Sequence, residues 1–156
     1  MPVQRLTEFL DRNRVKYVVI SHSPAHTAHE IAASAHISGQ EMAKTVIVKL
    51  DGRLVMAVLP ASELVDLDLL GEAAFAERAE IAEEQEFADR FPDCDLGAMP
   101  AFGNLYGMDV YVAESLAEDE EIAFNAGSYT ELVRMAYADF ARLVKPRILR
   151  FGAPTR

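Results

Sequence analysis

The sequence predicts one α+β domain in which a mixed, mainly antiparallel sheet is flanked by helices. Its 156 residues, 51% of them hydrophobic, suit a single core. Two β-rich runs, 44–50 and 53–59, are separated by Asp51-Gly52, which is a strong hairpin signal. Helical patterns are scattered among hairpin-linked strands, as is typical of α+β folds. With no repeat or linker-like segment, residues 1–156 are treated as one domain.

Hydrophobic periodicity and turn residues predict the individual elements. Leu6, Phe9 and Leu10 fall on one stripe of an amphipathic first helix, and Thr27 with Glu30 forms a capping box for the second. A breaker-rich segment over 92–107 is too long for a simple connector and is expected to be functional. The predicted helices cover 2–14, 27–38, 62–70, 82–91 and 137–144, the strands 16–21, 44–50, 53–59, 109–113, 121–124 and 130–135, and a turn 125–128.

Charge and cysteine content exclude several classes of protein. The net charge of −10, without a polybasic segment, argues against tight binding of nucleic acid through many phosphate contacts. A local contact with a nucleic-acid end remains compatible with this charge. The single cysteine excludes an internal disulfide and fits a reducing compartment. No stretch resembles a membrane helix or a signal peptide, so we expect a cytoplasmic protein without membrane contact.

The histidines and the cysteine are weak candidates for metal or nucleophilic chemistry. His22, His26, His29 and His36 lack the spacing that would close a metal site, and no HExxH or CxxC motif accompanies them. Cys94 lies between two aspartates, whose charges raise the pKa of a thiol and oppose thiolate formation. We therefore expect no metal and no cofactor, and a structural role for Cys94.

Three other segments could form a binding site. Lys44 opens the β-rich run TVIVKL, where it either snorkels to solvent or presents a fixed charge. The two glycines of GAMPAFG, residues 97–103, can expose backbone groups to a ligand, or simply form a tight turn. Asn125, in the segment NAGS, could hold a polar ligand or cap a strand. Each feature, taken singly, is ordinary turn or strand chemistry.

Together and in order, these segments resemble the YbaK/ProX family, the prolyl-tRNA synthetase-associated or bacterial aminoacyl-tRNA editing domain. The similarity covers roughly residues 15–145. It includes HSPAHTAHEIAASAHISGQEMAKTVIVKLDGRLVMAVLPA, the GAMPAFG loop, and FNAGS followed by a strand and the short helix YADF. The resemblance implies a small α+β domain that hydrolyses the ester linking a wrong amino acid to tRNA.

The family pattern also implies roles for particular residues. Lys44 and Gly97 are the expected catalytic residues. The lysine would hold the terminal phosphate or the developing oxyanion, and Gly97 would supply backbone near the scissile ester. Many relatives carry a histidine after the Ala-Gly turn, where this chain has Ser128 and Tyr129. The expected substrate-binding residues are His22, His26, Thr27, Met99, Pro100, Phe102, Gly103, Asn125, Gly127 and Ser128.

The resemblance therefore predicts a trans-acting, metal-independent deacylase of mischarged tRNA. The carrier is expected to be tRNA for proline, and the removed residue a small amino acid: Ala, Ser, Cys or Thr. The expected partner is the aminoacylated acceptor end, bound weakly or handed over by prolyl-tRNA synthetase or an elongation factor. Two alternatives are a non-catalytic module that keeps the pocket for an aminoacyl end, nucleotide or partner, and a hydrolase of another small ester.

Overall fold

The computed structural model describes residues 2–22, 37–38 and 40–154. The described helices are α1 (Gln4–Arg12), α2 (Leu67–Ala73), α3 (Glu84–Phe87), α4 (Glu114–Ala117) and α5 (Tyr137–Val144), with 3₁₀ turns at Ala88–Arg90 and Gly103–Tyr106. The described strands are β1 (Tyr17–Ser21), β2 (Ala43–Leu50), β3 (Arg53–Pro60), β4 (Glu63–Val65), β5 (Ala79–Ile81), β6 (Val110–Ala113), β7 (Glu121–Ser128), β8 (Glu131–Ala136), β9 (Arg147–Leu149) and β10 (Gly152–Pro154).

The strands form two sheets and a two-stranded ribbon. The larger sheet has the order β5-β2-β3-β6-β9, in which β3-β6 and β6-β9 are parallel and the other pairs antiparallel. The second sheet is antiparallel with the order β1-β8-β7, and β10 pairs with β4. A bridge between Met42 and Ala123 joins the two sheets. The predicted α+β class with mixed and antiparallel sheets flanked by helices is confirmed.

The predicted hairpin between β2 and β3 is also confirmed. Asp51 and Gly52 have φ values of 50° and 84°, the positive values that a tight two-residue hairpin turn requires. The Asp51 carboxylate accepts hydrogen bonds from the backbone N–H groups of Glu77 and Arg78, with the shortest at 2.8 Å. These bonds fix the turn against the segment that leads into β5.

Side chains on both faces of the five-stranded sheet are buried. A large cluster, which includes the aromatic rings of Phe102, Phe124 and Phe140, packs with α1 and α5. A second cluster contains Leu59, Leu70 and Phe151 and lies beneath α2. A small third cluster lies where the two sheets meet, and its fully buried members are Met42, Ala61, Ala123 and Leu132.

Several predicted elements were wrong. The predicted helix over 62–70 is instead β4 followed by α2. Asp66 caps α2 by accepting a hydrogen bond from the Leu69 N–H at 3.0 Å. Gly71, the expected stop, lies within α2. The error has a physical cause, because β4 forms by pairing with β10, nearly 90 residues away, which no local pattern indicates.

Two further boundaries differ, and one prediction is outside the described residues. The helix predicted over 82–91 is only α3 and one 3₁₀ turn. The NAGS segment belongs to β7, where a bulge between Asn125 and Ser128 replaces the expected turn. The predicted helix over 27–38 falls largely outside the described residues. Across the described ranges, no helix is long and apolar enough to cross a membrane.

Candidate active site

Lys44 lies on β2, directly opposite Leu59 of β3. Side chains alternate along a strand, so Lys44 shares a face of the sheet with Met42. Met42 extends the pairing of β2 with β3 by one step, because its carbonyl accepts a hydrogen bond from the Ala61 N–H. The lysine is half-buried, and this burial lowers its pKa, while the negative charge of Glu63 acts in the opposite direction. Among the described residues, Lys44 forms no ion pair or hydrogen bond.

Lys49, on the same strand, shows the ordinary alternative. Its Nζ lies 2.8 Å from a carboxylate oxygen of Glu86 and 3.6 Å from one of Glu80. The hydrogen bond to Glu86 raises the pKa of Lys49. A half-buried lysine with a lowered pKa and no protein partner is instead typical of a functional site.

Beside Lys44 is the small, buried apolar cluster at the meeting point of the two sheets. We call it the junction face. Asn125 lies on this face, because it is opposite Leu132 and two residues beyond Ala123 on the same strand. Its side chain is only 5% exposed, and its Oδ1 accepts no hydrogen bond within the described structure. The junction face consists of Ile20, Met42, Ala61, Ala123, Asn125 and Leu132, with Ile37 packed against it.

An unpaired buried amide oxygen is rare in folded proteins. Leaving such an acceptor without a donor costs about 1–3 kcal/mol. The Asn125 oxygen is therefore prepared to accept a hydrogen bond from a ligand that reaches the junction face.

The glycine loop is held directly against the bulge of β7. The Gly127 N–H donates to the Ala98 carbonyl at 2.9 Å, and the Asp95 N–H donates to the Gly127 carbonyl at 2.8 Å. Gly97 and Gly127 have φ values of 95° and 99°, a region that favours glycine. Gly97 is exposed. The structure thus brings together two segments that are about 30 residues apart in the chain.

Tyr129 fixes this loop from one side. Its hydroxyl donates a hydrogen bond to the Leu96 carbonyl. A Cβ atom added to Gly97 would lie 2.9 Å from the same hydroxyl. Ser128 makes a local turn contact, because its Oγ accepts a hydrogen bond from the Thr130 N–H at 3.5 Å. Tyr129, the second residue after the Ala-Gly turn, therefore positions the loop.

The second half of the loop packs into the core. Phe102 is fully buried, and its ring centroid lies 6.0, 5.6 and 5.4 Å from those of Phe9, Phe124 and Phe140. A Cβ atom on Gly103 would lie 2.7 Å from the Val110 Cγ2, so this position needs the absence of a side chain. These placements favour packing roles for Phe102 and Gly103 over contact with substrate.

The remaining predicted site residues are placed as follows. Met99 is 3% exposed within the large core cluster, and Pro100 is buried beside it in the chain. His22 directly follows β1, and its backbone N–H donates to the Thr130 carbonyl at 2.9 Å. His26 and Thr27 lie outside the described residues.

Cys94 has the properties of a structural thiol. Its Sγ lies 3.3 Å from the Tyr106 hydroxyl. Burial raises the pKa of Cys94 to about 11, and the charge of Asp93 adds to this effect. Arg5 connects the cluster to α1, with its Nε 3.4 Å from Asp93 and its guanidinium over the Tyr106 ring. A thiol with this pKa is a poor nucleophile at neutral pH.

Sequence comparison relates the chain to proteins that act on aminoacyl-tRNA. A family model described as "Aminoacyl-tRNA editing domain" matches residues 22–143. The chain is 28% identical over 154 residues to the multifunctional Ser/Thr-tRNA deacylase ProXp-y of Escherichia coli strain K12, covering 95% of this chain and 91% of that protein. The protein of the same name from Escherichia coli O157:H7 matches with the same values.

Two solved structures have the same fold as this chain. The hypothetical protein APE2540 superposes with a TM-score of 0.85 at 17% identity, covering 96% of this chain and all of that one. A candidate trans-editing enzyme for prolyl-tRNA synthetase superposes with a TM-score of 0.80 at 17% identity, covering 97% and 96% of the two chains.

Proposed function

The chain belongs to the aminoacyl-tRNA editing domain family, and we propose that it hydrolyses the ester of mischarged aminoacyl-tRNA in trans. In this reaction water adds to the ester carbonyl carbon, and the bond to the ribose oxygen breaks. The ribose oxygen takes a proton, and the free amino acid leaves. An aminoacyl ester is already activated, so its hydrolysis needs positioning and charge stabilisation more than a strong protein nucleophile.

The observation that carries this proposal is the state of Lys44. A half-buried cation without a partner in the described structure has its charge available to an anion. The ammonium group is a compact point charge that suits a phosphate or the oxyanion that develops during ester hydrolysis. We assign Lys44 this role, and we assign the exposed backbone of Gly97 the orientation of the water or the ribose hydroxyl.

The junction face supports a small substrate side chain that carries a hydroxyl group. The Asn125 Oδ1 has no donor within the described structure. The hydroxyl group of serine or threonine would supply one, and the relative ProXp-y is named a Ser/Thr-tRNA deacylase. We therefore propose seryl and threonyl esters as substrates. As the family pattern implies, tRNA for proline is the proposed carrier.

The test is deacylation of tRNA charged with alanine, serine, cysteine or threonine, with a chelator present throughout. Wild type is compared with Lys44→Ala and with Lys49→Ala, which removes a lysine of the same strand that is already paired. We expect Lys44→Ala to lower kcat by about 10²–10³, the usual loss for one oxyanion-stabilising group, and Lys49→Ala to retain wild-type turnover.

Circular dichroism of all three proteins checks that the variants are folded. Wild-type turnover by folded Lys44→Ala would remove the central residue of the proposal. A wild-type protein that binds the charged tRNAs but hydrolyses none of them would point to a non-catalytic binding module.

A further inference from the structure

The cationic residues of this acidic chain are concentrated at its C-terminal end. Residues 140–156 contain five of the 15 lysines and arginines and none of the 25 acidic residues. All but the start of this segment lies beyond the part that the editing-domain model matches, which ends at residue 143. We call four of these residues the C-terminal basic strip: Arg142, Lys145, Arg147 and Arg150.

The strip is exposed and largely without acidic partners. All four of its residues are exposed. Arg142 is paired with Asp139 at 3.3 Å, whereas Lys145, Arg147 and Arg150 form no ion pair with any described residue. Elsewhere in this chain, whose net charge is −10, cations such as Lys49 and Arg134 are neutralised by acids. Lys145 and Arg147 therefore form a local positive surface, and Arg150 lies beyond them at a second groove that Glu63, Glu114 and Glu118 also line.

Part of the strip lines a groove of about 500 Å³. Lys145 and Arg147 line it together with Arg53, whose charge is balanced by Asp109 at 2.6 Å. The guanidinium of Arg147 lies over the ring of Tyr111, 5.5 Å from its centroid. This stacking holds the guanidinium in place at the groove wall. The groove thus has two uncompensated positive charges and suits a phosphate-bearing ligand.

The strip is within reach of an ester held at Lys44. Lys44 of β2 is opposite Leu59 of β3. The parallel registers of β3, β6 and β9 place Leu149 at about the same position along the strands as Lys44. From β2 to β9 there are three strand spacings, which amount to about 15 Å. At about 3.4 Å per stacked nucleotide, this distance corresponds to roughly four nucleotides. Arg150 follows Leu149 immediately, and Arg147 is two residues before it.

We propose that the C-terminal basic strip binds phosphates of the tRNA acceptor end while the aminoacyl group lies at the junction face. The proposal rests on the proposed function, since it assumes an aminoacyl-tRNA substrate at Lys44. The strip supplies the local contact that an acidic protein needs in order to hold a polyanion. Arg147 lies on the edge strand β9, with Lys145 before the strand and Arg150 after it, so several successive phosphates can be contacted.

The experiment compares two triple variants with the same change in charge. The test variant is Lys145→Gln/Arg147→Gln/Arg150→Gln. The control is Arg12→Gln/Arg14→Gln/Lys16→Gln, which neutralises three exposed cations at the end of α1 and in the segment that leads into β1, at the end of β1 remote from His22. KM and kcat are measured with seryl-tRNA at several salt concentrations, and with a 3′-seryl-adenosine fragment that has the ester but no tRNA body.

We expect the test variant to raise KM for seryl-tRNA on the order of tenfold or more at low salt, with kcat nearly unchanged. The slope of log KM against log salt should fall by about two, since each lost phosphate contact removes about 0.7. Hydrolysis of the fragment should be unaffected, and the control should behave like wild type.

Equal KM changes in the two triple variants, or no change in either, would overturn the proposal. Fluorescence anisotropy with uncharged tRNA makes the test independent of hydrolysis. If wild type hydrolyses no ester but the strip variant alone loses tRNA affinity, the proposed activity fails and the strip assignment stands. If tRNA is hydrolysed normally by the strip variant, the activity stands and the strip assignment fails.

Discussion

Replacing Gly97 by alanine tests whether the glycine loop is held as the structure describes. At φ 95° a residue with a Cβ is strained by about 1–3 kcal/mol. The new Cβ would also lie 2.9 Å from the Tyr129 hydroxyl, closer than a normal contact. That hydroxyl is held by the Leu96 carbonyl, so its displacement also weakens a hydrogen bond. We expect Gly97→Ala to lower the free energy of unfolding by about 3 kcal/mol.

Tyr129→Phe separates the two contributions. Alone, it removes the hydrogen bond to the Leu96 carbonyl and should destabilise the protein by about 1 kcal/mol. In the Gly97→Ala background it also removes the atom that the new Cβ would strike, while the strain from φ remains. The double variant should therefore be about 1–2 kcal/mol more stable than the sum of the single changes predicts.

The assay is urea unfolding followed by far-UV circular dichroism on wild type, both single variants and the double variant. Gly52→Ala is the matched control, because Gly52 has φ 84° but no atom within 4 Å of an added Cβ. It should show strain and no coupling to Tyr129→Phe. Additivity at Gly97 to within about 0.5 kcal/mol would refute the contact between loop and hydroxyl.

Three further predictions concern the site and its support. Phe102→Ala should lower the free energy of unfolding by about 3–5 kcal/mol, because the ring is in the core. Phe102→Leu should keep the wild-type kcat/KM, and a changed amino-acid preference of this variant would instead place the ring at the pocket. Asn125→Ala should reduce kcat/KM for seryl-tRNA by about 5-fold to 150-fold and leave kcat/KM for alanyl-tRNA unchanged. Equal losses on both substrates would contradict the recognition of the seryl hydroxyl by Asn125. Lys44→Met should be at least as stable as wild type at neutral pH in urea unfolding, because burial lowers the pKa of Lys44 and so penalises its protonated form. The difference in stability between the two proteins should close as the pH approaches 10.5, where the unfolded lysine also loses its proton. A variant less stable than wild type at neutral pH would contradict this.

Elements defined by local signals could be predicted from the sequence. The β2-β3 hairpin depends on Asp51-Gly52, and the last helix over Tyr137–Val144 depends on its own periodicity, so both predictions were confirmed. The strands β4 and β10 exist because they pair with each other across the chain. A three-residue strand has no periodicity of its own, and its neighbours made β4 look helical.

Candidate site residues could be named from the sequence only where a motif identified them, and their roles stay predictions. Lys44 and the glycine loop could be singled out from the order of motifs, and the hydrogen bonds of Asp95 and Ala98 to Gly127 agree with the proposed association of the loop and the β7 bulge. The direction of a loop side chain cannot be derived from spacing, so Phe102 was expected at the pocket although its ring lies in the core. That the Asn125 oxygen has no donor among the described residues depends on three-dimensional packing and has no sequence signal.

The charge of the chain raises the question of how an acidic protein holds tRNA. Exposed charges farther apart than about 8 Å are largely screened at physiological salt. A phosphate near Arg147 therefore responds mainly to the strip and little to the acids of distant helices, such as Glu84 and Glu86 of α3. The remaining acids still oppose tight binding at low salt, where screening is weak. Binding that is weak overall and confined to the acceptor end lets the product leave after one ester is cut, as a trans-acting deacylase requires.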